Sequence, residues 1–415
     1  MAIEICGGNP VDGRLKIQGS KNAVLPIMAA SILGEGVTII ENCPDIQDVR
    51  AMADVLRSIG AIADYENHRL TIDTSPVGDG TIREKKAGEF RASVLLLGSL
   101  LSKFHHVSVG YPGGCSIGSR PIDFHLRAFE QMGAAVEKRE DGILCYTGQR
   151  LKATELRLPF PSVGATENIL LASVLAEGTT QLKNAAREPE IVELCGFLNA
   201  MGAKIYGAGS GMISIEGVEK LHSVQWQLCS DRIVLLTWAM LVAGCGGKAA
   251  LETEAGFSGI ESQVLRRLGC EIRRESEGVV VEQKSRPGAI GFLRTKPYPG
   301  YPTDGQSLLM PVLCKGRGVS TIEEGIFENR FKMVCQLKKM GADIDYVSNR
   351  ARVNGVTRLH GAIVSADDLR GGAGLLIAGG MAEGTTRINR EHFIRRGYEE
   401  VVEQLRKLGI QARTC

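Results

Sequence analysis

The chain has 415 residues, 44% of them hydrophobic, with 49 basic against 47 acidic residues and a net charge of +2. That length calls for two domains, each able to bury a large core. Near-neutral charge with no block of Lys or Arg excludes a surface built to follow a nucleic-acid backbone or an acidic membrane, so any recognition of anions must be local.

The first twenty residues hold two strand-like pieces, EIC and LKI, and no basic region followed by an apolar run, so no leader is expected there. From Asn22 the run NAVLPIMAASIL opens a series of segments that are apolar on nearly every side. The series continues with ASVLLLGSLL, ENILLASVLA, RIVLLTWAMLV and GLLIAGGMA. Helices of this kind must be buried all round. The longest, Ile233 to Cys245, is too short to cross a bilayer. Between them lie amphipathic stripes, such as Ile191, Leu194, Leu198 and Met201, or Phe331, Val334, Leu337 and Met340, which predict half-buried helices.

Each stripe ends in a glycine step, at Gly60, Gly133, Gly202, Gly269, Gly341 and Gly409, spaced between 67 and 73 residues apart. Such regularity predicts one supersecondary unit of roughly 70 residues used six times, with each glycine as a left-handed C-terminal cap followed by a strand pair. GAGSGMISIEG, residues 207 to 217, reads as a hairpin turn and not as a nucleotide loop, because no helix follows it. The last unit stops at LGIQARTC without its second strand, and the N-terminal strands are expected to close it. The fold expected is α/β, with two inside-out, barrel-like domains of three units each. One spans 21–229; the other joins 1–20 to 230–415.

Polar residues gather just before, or in the first turn of, the apolar helices: Lys21, Asn22, Arg91, Ser162, Asp231, Arg232, Asp304 and Arg370. Several helix starts facing one region would offer unpaired N–H groups to an anion such as phosphate. Ser and Asp there are also ordinary N-caps. Lys21, Arg91 and Arg370 oppose the helix dipole and need another reason for their positions. The segment PGGCSIGSRPIDFH, residues 112 to 125, surrounds Cys115 with small residues and places Arg120 five positions on, an arrangement fit for a reactive thiolate. The alternative is that Cys115 is simply a small residue in a turn. His125 reads as a supporting group, and the pair His105 and His106 as solvated. Eleven cysteines, an odd number without a CxxC pair, point to a reducing, cytoplasmic location and not to a disulfide framework or a metal site.

Taken in order, GSKNAVLP, FRAS, PGGCSIGSRPID, PSVGATEN, NAAREPEIV with Glu188 and Glu190, SDRI, YPTDGQ, FENRF, DDLR and RRGYE resemble the UDP-N-acetylglucosamine 1-carboxyvinyltransferase family of enolpyruvyl transferases from end to end. The resemblance implies two inside-out α/β domains with the active site between them. It implies transfer of the enolpyruvyl group of phosphoenolpyruvate to the 3-hydroxyl of UDP-N-acetylglucosamine, with release of phosphate. These small molecules would be its partners, with no cofactor, metal, nucleic acid or membrane. Cys115 would be the general acid and the site of fosfomycin attack, and Asp304 would accept or orient the hydroxyl proton. Lys21, Arg120, Arg370 and Arg396 would hold phosphoenolpyruvate, and Lys21 would also be a catalytic residue beside Cys115 and Asp304. Asn22, Arg91, Arg120, Pro121, Ile122, Asp123, Phe124, Ser162, Val163, Gly164, Asp304 and Ile326 would contact the sugar nucleotide, and Arg330 would also be a substrate-binding residue. Arg395 departs from the family, which usually has Asp before the RGYE motif, and an extra cation beside Arg396 is expected to alter the affinity for phosphoenolpyruvate or the closing equilibrium. The competing readings are the shikimate-pathway enolpyruvyl transferase and a catalytically idle relative that binds a sugar nucleotide.

Overall fold

The computed structural model describes residues 1–82, 91–111, 117, 118 and 121–415, and of Arg91 only the backbone. Contacts gather these residues into two compact units with separate cores. One comprises Met1–Gln18, Ile117, Gly118 and Ser230–Cys415; the other runs from Gly19 to Cys229 without those two loop residues.

In the unit that starts at Gly19, the apolar runs form the helices Lys21–Ala30, Leu96–Phe104 and Val163–Ser173. Their interiors are buried on every side, as their composition requires. The equivalent helices of the other unit, Arg232–Cys245, Thr303–Cys314 and Leu369–Met381, pack on one another at its centre. Small residues allow the close crossings. An added Cβ at Gly98 would run into the Asn168 carbonyl, and one at Gly374 into that of Ser307. No helix among the described residues is long and apolar enough to cross a membrane.

Around these helices lie six four-stranded sheets and one of two strands, and among the described residues none closes into a barrel. Every four-stranded sheet opens with a parallel pair and continues with two antiparallel pairings. Val37–Glu41, Thr179–Lys183 and Val319–Glu323 share one alternation of exposed and buried positions, the mark of a sheet with one face on a core. The amphipathic stripes become the helices Gln47–Ser58, Asp123–Gln131, Pro189–Ala200, Gly259–Leu268, Val334–Lys339 and Val401–Lys407. The glycine after each has a positive φ, from 78° at Gly409 to 105° at Gly60, which is the conformation the spacing predicts. Residues 207–211 join the antiparallel strands Lys204–Tyr206 and Met212–Glu216, again as expected.

The N-terminal strands behave differently from the expectation that both complete the last unit. Ala2–Gly7 does so, lying between Gly384–Asn389 and Gln411–Thr414. Val11–Lys16 instead runs parallel to Gly247–Glu252 in a different sheet. The physical reason is in the connection, since Gly8 and the few residues after it turn the chain away before a second antiparallel pairing can form.

Cations finish the buried helices. Arg150 Nε donates to Leu175 O at 2.8 Å and its Nη2 to Val218 O at 2.7 Å. Arg286 repeats the arrangement with Lys315 O at 2.6 Å and Val356 O at 2.9 Å. Lys103 caps Ile32 O at 2.6 Å, and burial lowers its pKa. The bonds to Leu175, Lys315 and Ile32 satisfy carbonyls at helical ends and place positive charge there, while those to Val218 and Val356 tie in the chain after a neighbouring strand.

Candidate active site

The unit containing Ser230–Cys415 assembles one charged cluster from three separate chain segments. Asp304 is the second residue of the helix Thr303–Cys314, and Arg370 the second of Leu369–Met381. Arg330 arrives from the FENRF segment. Its Nη2 donates to Asp304 Oδ1, its Nε to Thr303 Oγ1 at 3.2 Å, and its Nη1 lies 3.7 Å from Asp368 Oδ1. Arg370 Nε donates to the other Asp304 oxygen, Oδ2, at 2.9 Å. Both guanidinium side chains are 3% exposed and the Asp304 side chain 26%, so the carboxylate is the open member of the trio.

This geometry explains a cation at a helix start. Burial is the largest single influence on the Arg370 pKa and works to lower it, but Asp304, Tyr398 and Asp231 acting together outweigh it and the net shift is upward. Asp368 caps the same helix, accepting from Arg370 N at 3.0 Å and Gly371 N at 2.9 Å. Arg330, expected as a substrate-binding residue, has its guanidinium turned to Asp304, Thr303 and Asp368. Ile326 is half-buried, its N–H donating to Glu324 Oε1 at 2.8 Å. Arg396 follows the short helix His392–Arg395 and is half-buried. Neighbouring Arg395 donates through Nε to Glu391 Oε1 at 3.0 Å.

The other unit holds the remaining expected residues. Lys21 is the first residue of its helix, and its Nζ lies 3.2 Å from Asp48 Oδ2, in the first turn of Gln47–Ser58. The two side chains are 13% and 5% exposed, and the acid offsets the unfavourable helix dipole as Asp304 does for Arg370. Asn22 is half-buried beside it. Arg91 starts the 3-10 turn that leads into Leu96–Phe104. Pro121 is exposed, while Ile122, Asp123 and Phe124 are half-buried at the start of Asp123–Gln131.

Ser162 caps the helix Val163–Ser173, accepting from Ala165 N at 3.4 Å, with Val163 and Gly164 half-buried in its first turn. Asp231 caps Arg232–Cys245 through Ile233 N at 2.8 Å and Val234 N at 3.0 Å. Buried His125 approaches Gly164. Its Nδ1 accepts from Asn168 Nδ2 at 2.9 Å, a direction fixed because Asn168 Oδ1 is already taken by Gly98 N at 2.8 Å. Cys115 and Arg120 lie outside the described residues.

Four participants escaped the sequence reading: Asp48, Asn168, Tyr398, whose hydroxyl accepts from Arg370 Nη1 at 3.1 Å, and Thr237, whose Oγ1 lies 2.7 Å from that hydroxyl. Tyr398 stands inside the RRGYE motif, and Thr237 is the lone hydroxyl in RIVLLTWAMLV, a signal that was available. Asp48 looks like an ordinary first-turn residue, and Asn168 like a polar start to an apolar run, until the partner helix is in place. No group of three or more His, Cys, Asp or Glu able to hold a metal occurs among the described residues.

A family model for EPSP synthase (3-phosphoshikimate 1-carboxyvinyltransferase) matches residues 5–405. UDP-N-acetylglucosamine 1-carboxyvinyltransferase 2 of Caldanaerobacter subterraneus subsp. tengcongensis is 41% identical over 409 residues, covering 98% of each chain. The UDP-N-acetylglucosamine 1-carboxyvinyltransferase of Corynebacterium jeikeium is 42% identical over 414 residues, covering 98% of this chain and 97% of its own. The solved enolpyruvyl transferase NikO from Streptomyces tendae superposes with a TM-score of 0.88 at 26% identity, over 99% of this chain and 98% of that one. The chain therefore belongs to the enolpyruvyl transferase family, and within it to the UDP-N-acetylglucosamine 1-carboxyvinyltransferases.

Proposed function

We propose that this protein transfers the enolpyruvyl group of phosphoenolpyruvate to the 3-hydroxyl of UDP-N-acetylglucosamine and releases phosphate, the first committed step of peptidoglycan synthesis, in the cytoplasm. The observation that carries the reading is Asp304, a partly open carboxylate fixed by two buried guanidiniums, in a chain 41–42% identical over nearly its whole length to relatives bearing that enzyme's name.

The chemistry sets the demands. Addition across the enol double bond needs a proton at the terminal carbon while the sugar oxygen bonds to the carbon carrying the phosphate. Elimination then breaks that carbon's bond to the phosphate oxygen and removes a proton from the new methyl group. Asp304 would accept or orient the proton of the 3-hydroxyl, being held as a carboxylate by charge-assisted hydrogen bonds. Cys115 would supply the proton to carbon. Lys21, Arg120, Arg370 and Arg396 would bind the phosphate and carboxylate of the donor, a set of cations proportionate to a small polyanion.

Asn22, Arg91, Arg120, Pro121 to Phe124, Ser162 to Gly164 and Ile326 would contact the sugar nucleotide. Buried Arg330 would act on it through Asp304. In this reading the two units are domains of three copies of one α/β motif, each with its helices inside and its sheets outside. The shared order of the six sheets and the six positive-φ glycines support that.

The test is phosphate release from phosphoenolpyruvate. Release that depends on UDP-N-acetylglucosamine, and is abolished by Cys115→Ala and by Asp304→Ala, is the expected result. Release that requires shikimate 3-phosphate instead would assign the shikimate-pathway reaction, and no release with either acceptor would leave an idle sugar-nucleotide binder.

A further inference from the structure

Arg370 has a second fixed contact besides Asp304. Its Nη1 donates to the Tyr398 hydroxyl at 3.1 Å. That hydroxyl lies 2.7 Å from Thr237 Oγ1, and Thr237 Oγ1 donates to Ile233 O at 2.8 Å. The proton order follows from counting. Thr237 has one hydroxyl hydrogen and gives it to Ile233, so Tyr398 must donate to Thr237, and the lone pairs of Tyr398 are left to accept from Arg370. The relay therefore has a single direction, from guanidinium to phenol to threonine to a helix carbonyl.

All three side chains are buried, and Tyr398 is held in turn. Gln18 Nε2 donates to Gly397 O at 3.1 Å and Gln18 Oε1 accepts from Glu399 N at 3.0 Å, which grips the backbone on both sides of the tyrosine. Gln18 O also accepts from Asp231 N at 2.8 Å, joining this grip to the cap of the helix that carries Thr237. The Trp238 ring meets Tyr398 edge-on, with centroids 6.4 Å apart. With Nε on Asp304 and Nη1 on Tyr398, the plane of the Arg370 guanidinium is set from two directions. Its Nη2 makes no hydrogen bond among the described residues.

We propose that Tyr398 and Thr237 are positioning residues, which aim the Nη2 edge of Arg370 at the anionic donor substrate. The inference rests on the reading above that Arg370 binds phosphoenolpyruvate. A guanidinium free to rotate would still attract an anion, but it would lose the paired geometry that makes such contacts strong.

The test compares Tyr398→Phe, Thr237→Val and Thr237→Ser with wild type, measuring KM for each substrate, kcat and the melting temperature. Arg370→Lys serves as the reference. Tyr398→Phe and Thr237→Val are expected to raise the KM for phosphoenolpyruvate about tenfold, the size of one lost hydrogen bond to a charged group. The KM for UDP-N-acetylglucosamine should stay within about twofold, as expected when the second substrate does not use the lost bond. Thr237→Ser keeps the hydroxyl and should behave as wild type.

Thr237→Val is nearly isosteric and carries the test if Tyr398→Phe fails to fold. Equal rises in both KM values, tracking a loss of melting temperature, would overturn the proposal in favour of a purely structural role. An unchanged KM for phosphoenolpyruvate in Tyr398→Phe and Thr237→Val, with a raised one in Arg370→Lys, would overturn the positioning role and leave the functional reading intact. An unchanged value in Arg370→Lys would overturn the assignment of Arg370 to the donor, and the positioning role with it.

Discussion

Arg395 reaches back one helical turn to Glu391, so the cation beside Arg396 is already engaged by a carboxylate that is only 4% exposed. The departure from the family pattern at this position forms a local ion pair in the 391–395 turn. Arg395→Gln is expected to change the KM for phosphoenolpyruvate by no more than about twofold, as for a partly exposed pair. Arg396→Gln should raise it about tenfold or more, because a charge-assisted contact to the substrate is lost. Steady-state kinetics of the two variants side by side decide the matter.

Asp304 accepts from a different guanidinium at each oxygen, so its replacement has two costs. Asp304→Asn keeps the shape but turns an amide NH2 toward one arginine and removes the charge both require. A drop in kcat of about 10²- to 10⁴-fold is expected from the loss of a proton-accepting group. Stability should fall by about 2 kcal/mol, a buried-pair penalty reduced for the partial exposure of the acid. Urea unfolding together with turnover assays separates the two effects.

Gly374 marks the crossing of two central helices, where the Ser307 carbonyl occupies the space a side chain would need. Gly374→Ala must push the helices apart, at a cost of about 1–3 kcal/mol typical of overpacking. Gly133→Ala is a contrasting control. Its added Cβ meets nothing, so its penalty comes only from the positive φ of 95°. A larger fall in the denaturation midpoint for Gly133→Ala than for Gly374→Ala would contradict the close crossing.

Five thiols, Cys145, Cys195, Cys245, Cys270 and Cys314, are pushed up to about 12 by burial. The folded protein keeps these protons at a pH where the unfolded chain, with an ordinary thiol value near 9.0, has released them. Their contribution to stability is therefore complete below about pH 9 and lost as the pH rises toward 12. The urea midpoint should fall between pH 8 and pH 10.5. At pH 8 iodoacetamide should modify exposed Cys6, Cys335 and Cys415 in the native state and reach buried Cys145, Cys195, Cys270 and Cys314 only after unfolding.

Much of the architecture was legible because it depends on local rules. Six regularly spaced glycines announced six left-handed caps, and runs without a polar face announced buried helices. The path of Val11–Lys16 was not legible, since its partner Gly247–Glu252 lies more than two hundred residues away and strand pattern alone does not choose between sheets. At the site, the cationic residues at helix starts stood out, but their pairing with particular counter-charges did not. Lys21 needs Asp48 from the next helix, and Arg370 needs Asp304 from sixty-six residues upstream. Such pairings arise only when helices pack, so Thr237 passed for filler in an apolar run until Tyr398 was seen against it.

The strand Ala2–Gly7, held between Gly384–Asn389 and Gln411–Thr414, imposes an order on biosynthesis. As the chain leaves the ribosome, the residues from Gly19 to Cys229 can find most of their partners among themselves early. Val11–Lys16 must wait for Gly247–Glu252, and Ala2–Gly7 stays unpaired through most of translation until the carboxy-terminal strands emerge to receive it. Nascent molecules therefore carry an unsatisfied strand edge at their front, and a chaperone that shields extended segments would act on this protein there.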